Sequence, residues 1–143
     1  MTTYGEAFLV DLENALAALH SFSHNPYDGD NVRDVLSSVG TKSELFLRSV
    51  VLPGESPKKT SEHLIDALPM TWVSPIQRDA LHRLRRLYNK AKHDPRYQVD
   101  LLDALDVISQ ATVVYQHLVA RGAGLTCDER PSNFAPGVLD LSR

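Results

Sequence analysis

Two prolines delimit the segment that most constrains how this chain can fold. Ser74-Pro75 offers a helix N-cap followed by a proline in the first turn, where a missing backbone N–H does no harm. At the other end Asp94 precedes Pro95, and a residue before proline is pushed out of helical geometry. The sequence therefore predicts one helix over residues 75–93.

This predicted helix is strongly basic, although the chain as a whole is not. Between Arg78 and Arg96 seven Arg or Lys stand against two Asp, an excess of five positive charges in a protein with a formal net charge of −3. Such an asymmetry indicates an anionic partner. At 100° per residue the polar side of the helix collects Asp79, His82, Arg86, Asn89, Lys90 and His93. We expect this row to face solvent or a second subunit, although any amphipathic surface helix shows such a row.

Apolar residues at intervals of three and four predict helices along most of the remaining chain. We expect them at about residues 5–22, 30–52, 61–68 and 99–120. Gly-Thr-Lys-Ser at residues 40–43 interrupts the apolar pattern of the second helix and allows a bend near Gly40, although the residues on both sides favour helix. No segment predicts a strand, so the expected fold class is all-α, a four-helix-type bundle with a short additional helix.

Length and composition limit the domain organisation and the chemistry. A chain of 143 residues suits one core, which we expect over residues 1–123, with an irregular tail over residues 124–143. No apolar run is long enough for a membrane span and the start lacks a signal pattern, so we expect a cytoplasmic protein. Cys127 is the sole cysteine, and the pair His20 and His24 lacks a third ligand at a suitable spacing. We therefore expect no metal and no cofactor.

A short string inside the basic helix carries a resemblance to a known family. It reads Arg85-Arg86-Leu87-Tyr88-Asn89-Lys90-Ala91-Lys92-His93. It resembles the signature of HEPN domains, in which an Arg is followed after four to six residues by a His on one helix of a small helical bundle. Here six residues separate Arg86 from His93, and Asn89 lies between them. The expected helix order, with two long helices before the string and one after it, is also similar to that family.

The resemblance implies a metal-independent ribonuclease or a noncatalytic relative that binds RNA, a nucleotide or a partner protein. In active members two copies of the string face each other across a dimer, and the ribose 2′-hydroxyl attacks the adjacent phosphate to leave a cyclic phosphate. Carried over, His93 would transfer protons, Arg86 would stabilise the phosphorane charge, and Asn89 would orient the substrate or the histidine. The predicted phosphate contacts are Arg85, Lys90, Lys92 and Arg96.

Two features leave alternatives to the enzyme open. Arg86 precedes His93 by about 10 Å along a helix axis, so the enzyme requires a homodimer that joins the two residues across subunits. Many family members carry Arg immediately before the Asn, whereas this chain has Tyr88, which offers no charge to phosphate. The alternative is a noncatalytic helical protein-interaction module, for example the neutralising component of a two-gene system, whose basic face binds an acidic protein.

Overall fold

The computed structural model of the protein describes residues 3–22 and 29–122. In this part of the chain the α-helices are α1 (Tyr4–Ser21), α2 (Gly29–Phe46), α3 (Ser61–Asp66), α4 (Pro75–His93) and α5 (Leu101–Ala120). Helix α2 continues directly into a π-helical turn, Leu47–Val51. These two stretches contain no strand, and the predicted all-α class is confirmed.

Side-chain caps determine where the helices begin. Thr3 forms a capping box with Glu6 at the start of α1, and Ser74 forms one with Gln77 at the start of α4. At each helix, two otherwise unpaired backbone N–H groups gain acceptors in this way. The Asp100 carboxylate accepts from the backbone N–H of Asp103 at 3.1 Å. Helix α5 therefore begins at Leu101, two residues later than predicted, because Asp100 is its N-cap. Helix α4 has the predicted bounds.

The four long helices form an antiparallel bundle with a short helix on its side. Helix α1 packs between α2 and α5, and α4 packs on the same two neighbours. Tyr4 at the start of α1 lies beside Phe46 at the end of α2, so these two helices run in opposite directions. Helix α3 packs against α4. Within residues 3–22 and 29–122, one face of α4 has no neighbouring helix.

An aromatic cluster fills the core at the end of the bundle where α1 begins. The ring of Phe8 stacks on Phe46 with centroids 4.6 Å apart, and its edge meets Tyr115 at 5.0 Å. The buried Tyr115 hydroxyl is hydrogen-bonded to the Ser43 hydroxyl. Burial raises the pKa of Tyr115, so this hydroxyl stays neutral and acts only as a structural hydrogen-bonding group.

Helix α2 continues through Gly40, where the sequence allows a bend, as one α-helix. The helix runs without interruption from Gly29 to Phe46. A Cβ atom built on Gly40 would lie 2.2 Å from Cδ1 of Tyr88, a ring atom on α4. The glycine thus serves the close packing of α2 on α4, because a side chain there would occupy the space of the tyrosine ring.

Several expectations concern residues that the structure does not describe. The tail at residues 124–143, Cys127 and His24 lie outside the described residues. Within residues 3–22 and 29–122, no helix has the length and apolar character that crossing a membrane requires. The same residues contain no group of three or more His, Cys, Asp or Glu side chains placed to hold a metal ion.

Candidate functional site

Two of the arginines of α4 are engaged inside the protein. Arg78 donates to the carbonyls of Ile65 at 2.6 Å and Leu68 at 2.8 Å, where α3 ends. Arg83 donates to the carboxylate of Asp106 on α5 at 2.9 Å. These hydrogen bonds link α4 to its neighbours, so both guanidinium groups already have partners within the protein.

Arg85 and His82 belong to a hydrogen-bonded chain beside α3 rather than to the outward row. Arg85, predicted to contact phosphate, is half-buried and donates from Nε to Nδ1 of His82 at 3.2 Å. Because Nδ1 is an acceptor, the ring proton lies on Nε2, which donates to Asp66 at 2.8 Å. The expectation that His82 shares the exposed row is corrected, since its side chain is only 12% exposed. The helical period alone does not reveal that α3 covers this edge of α4.

The Asp66–His82 contact makes stability depend on acidic pH. The hydrogen bond from His82 holds the pKa of the Asp66 carboxyl below its ordinary value. A carboxyl whose pKa is lower in the folded state contributes stability above its unfolded pKa, and this contribution is lost as the pH falls through the folded pKa. We expect Asp66→Asn to flatten the loss of unfolding free energy between about pH 5 and pH 2, measured by urea titration at each pH.

The control for that experiment is a second exposed carboxylate, near the start of α4. Asp79 is exposed and forms no hydrogen bond or ion pair with any other residue in the described ranges. We expect Asp79→Asn to follow the acid-dependent stability curve of the wild type. If the wild type and Asp66→Asn lose the same unfolding free energy as the pH falls, this role of the His82 contact is contradicted.

The three residues carried by the family resemblance lie on the side of α4 that faces away from the bundle. Arg86 and His93 are exposed, and Asn89 is half-buried. Their side chains form no hydrogen bond or ion pair within residues 3–22 and 29–122. Asn89 is one helical turn from each of the other two, but Arg86 and His93 lie about 10 Å apart along the axis. One chain therefore presents these groups in a row without bringing Arg86 and His93 together.

Three further cations lie within three residues of His93 in the sequence, at the end of α4 and in the turn after it. Lys90 places its Nζ 4.3 Å from the centroid of the Tyr97 ring, and Lys92 places its Nζ 5.6 Å from that of Tyr88. Arg96 follows in the turn after the helix. All three side chains are exposed and lack an ion pair with the residues that the structure describes. We call Arg86, Asn89, Lys90, Lys92, His93 and Arg96 together the α4 binding face.

Tyr88 contributes to helix packing rather than to the binding face. Its ring is half-buried over Gly40, and its hydroxyl lies 3.1 Å from the Thr41 hydroxyl on α2. Position 88, where the resemblance would lead one to expect an arginine, thus lies between α2 and α4. It supplies no charge to the binding face.

An arginine that sequence reasoning missed holds the last turn of α4. Arg33, on α2, donates to the carbonyl of Ala91 and to the carbonyl of Tyr97. Part of this arrangement is predictable from the sequence, because Pro95 lacks the backbone N–H that would pair with the carbonyl four residues before it. This missing N–H predicts an unmet acceptor at Ala91. It does not identify a donor that lies 58 residues away in the chain.

The α4 binding face can supply charged hydrogen-bond donors to phosphate oxygens and an imidazole that can accept or donate a proton. Its cations are spread over more than two helical turns, which suits an extended anion better than a compact one. In comparisons with known proteins, no protein-family model, curated protein or solved structure matches this chain.

Proposed function

We propose that this protein is a HEPN-like domain that binds RNA or a nucleotide through the α4 binding face. The observation that supports the proposal is the division of charge on α4. Arg78 is hydrogen-bonded to backbone carbonyls and Arg83 pairs with Asp106, whereas Arg86, Lys90 and Lys92 are exposed without an acidic partner in the described ranges. Exposed cations bind nucleic acid phosphates with release of counterions. The proposal includes a cytoplasmic location.

The same face supports a metal-independent ribonuclease only in a two-fold dimer. Cleavage requires His93 to accept the proton of a ribose 2′-hydroxyl while Arg86 stabilises the charge on the attacked phosphate. These two residues are too far apart along one helix to share a phosphate. A second copy of the chain, with its α4 alongside in the opposite direction, brings Arg86 of one subunit to His93 of the other.

Incubation of the purified protein with mixed RNA tests the catalytic part of the proposal. Reactions with and without EDTA are scored for 2′,3′-cyclic phosphate ends. Formation of these ends in EDTA is the expected result for the proposed dimer. Salt-dependent RNA binding without cleavage identifies a binding domain, and the absence of both RNA binding and cleavage contradicts the proposal.

The salt dependence of binding identifies which cations contact phosphate. We expect Lys92→Ala or Arg96→Ala to weaken the binding of single-stranded RNA and to flatten the plot of log affinity against log salt by roughly 0.7 for each lost contact. The measurement is a fluorescence-anisotropy titration of labelled RNA at several salt concentrations. The loss of affinity should be similar for different RNA sequences, because contacts to phosphate do not distinguish one base from another.

A matched variant controls for the loss of charge alone. Arg83→Ala also removes one positive charge from α4, but Arg83 already pairs with Asp106 and Gln110. We expect its salt slope to equal that of the wild type. A slope reduced as much by Arg83→Ala as by Lys92→Ala would show that RNA responds only to the overall charge.

The second candidate function is a protein-interaction module, and one observation favours it. Two large apolar side chains near the start of α4 are unusually open to solvent, Ile76 at 82% and Met70 at 68% exposure. Large exposed apolar side chains are typical of surfaces that bind proteins. In this case the partner is an acidic protein, such as the toxic component that a neutralising protein holds. Ile76→Ser should then weaken binding of that protein, whereas RNA affinity should not change.

A further inference from the structure

The last turn of α4 contains a carbonyl that the helix cannot satisfy. The carbonyl of Lys90 accepts from the N–H of Asp94 at 3.0 Å, which is the last hydrogen bond of the helix. The next carbonyl, that of Ala91, would pair with residue 95, but Pro95 has no N–H. Ala91 is buried, so this carbonyl has little access to water. A buried acceptor of this kind requires a donor from elsewhere in the protein.

Arg33 supplies this donor and reaches across the turn at the same time. Its Nη1 donates to the Ala91 carbonyl and its Nη2 to the Tyr97 carbonyl, while the Pro95 carbonyl lies 3.5 Å from Nη2. One planar guanidinium therefore joins backbone groups on both sides of Pro95. A lysine has a single ammonium on a flexible stem and cannot reproduce that fork.

We propose that Arg33 is a positioning residue for the α4 binding face. The segment between its two acceptors contains Lys92 and His93 at the end of the helix and Arg96 in the turn. By joining the two ends of this segment, Arg33 fixes the placement of these cations relative to Arg86, which lies in the body of the helix. The guanidinium acts through the backbone and contacts no phosphate. This inference rests on the proposed function, since the ligand whose phosphates the segment meets is RNA.

The first test compares two arginine-to-lysine variants in RNA binding. We expect Arg33→Lys to weaken the binding of a labelled single-stranded RNA by about tenfold with an unchanged salt slope, because the charge is kept and no phosphate contact is lost. The control is Arg48→Lys. Arg48 also donates to two loop carbonyls, those of Ser56 at 3.2 Å and Lys59 at 2.7 Å, and belongs to the π-helical turn, outside the binding face. Its substitution should leave RNA affinity unchanged.

Three results of that experiment would overturn the inference. A salt slope that falls by roughly 0.7 in Arg33→Lys means that the guanidinium contacts a phosphate itself. Equal affinity in Arg33→Lys and wild type means that the turn does not need Arg33 for binding. An equal loss of RNA affinity in Arg48→Lys would mean that the weaker binding of Arg33→Lys comes from general destabilisation of the protein.

The second test uses amide hydrogen exchange and needs no RNA. We expect Arg33→Lys to raise the exchange rates of backbone amides in residues 92–97 by about tenfold, while the rest of α4 keeps wild-type protection. In Arg33→Met the increase in these exchange rates should be larger. Adding Pro95→Ala to Arg33→Met should lower the exchange rates again, because Ala at position 95 restores an N–H for the Ala91 carbonyl. Unchanged exchange in Arg33→Met would overturn the inference.

The two tests separate this inference from the function on which it rests. If wild-type protein binds no RNA, the proposed function fails and the positioning role fails with it, whatever the exchange data show. If wild type binds RNA and Arg33→Lys binds equally well, only the positioning role fails. Support requires faster exchange at residues 92–97 together with weaker RNA binding at an unchanged salt slope.

Discussion

Replacing His93 by alanine is expected to abolish RNA cleavage by the proposed ribonuclease, with a rate lowered by about 10²-fold or more. The fold should be retained, because His93 is exposed at the end of α4 and pairs with no other residue in the described part of the chain. Cleavage is measured as the formation of 2′,3′-cyclic phosphate ends, and folding as the thermal melting of the circular dichroism signal.

A second histidine serves as the control for this substitution. His63 lies on α3, pairs with Glu55 at 2.9 Å and has a side chain that is 40% exposed. We expect His63→Ala to cleave RNA at the wild-type rate. Arg86→Lys should lower cleavage, because a point charge cannot surround a phosphorane as a planar guanidinium does. Cleavage that survives His93→Ala would rule out this mechanism, and so would a protein that light scattering finds monomeric under the assay conditions.

The largest expected effect on stability comes from adding one methyl group at Gly40. In Gly40→Ala the new Cβ would lie 2.2 Å from Cδ1 and 2.3 Å from Cγ of Tyr88. Cγ is the ring atom nearest to the α4 backbone, so the ring cannot clear the methyl group by a small rotation. We expect the free energy of unfolding to fall by roughly 2 kcal/mol through overpacking, although alanine favours helix over glycine by about 1 kcal/mol.

The chain offers a matched glycine for this measurement. A Cβ atom on Gly54 would meet no atom within 4 Å. Gly54→Ala should therefore change the free energy of unfolding by no more than about 0.5 kcal/mol in urea titrations. Gly40→Ala should in addition weaken RNA binding, since the displaced Tyr88 is next to Asn89 on α4. A Gly40→Ala protein as stable as wild type would contradict the close packing of α2 on α4.

The bounds of α4 were predictable from sequence because the signals that determine them are local. Ser74 caps the first turn, and Pro95 excludes helical geometry at the residue before it. The shared side of Arg86, Asn89 and His93 was predictable for a similar reason, since the helical period relates residues three and four apart. The all-α class followed from the same period repeated in the apolar residues of the other long helices.

The role of Gly40 shows where local signals fail. A glycine within a helical pattern is compatible with a bend and equally with close packing of another helix. The close packing is visible only from the position of Tyr88, 48 residues further along the chain. The sequence contains both residues but not their distance in space.

The sequence by itself determined that α4 exists, where it ends and which residues share its polar side, since these properties depend on neighbours within one or two helical turns. The tertiary structure decided which of its charges are free. Arg83 pairs with Asp106, 23 residues away, and the carbonyl of Ala91 accepts from Arg33, 58 residues away in the chain. Partners at such separations are brought together only by the packing of the helices, because no local rule relates their positions in the chain.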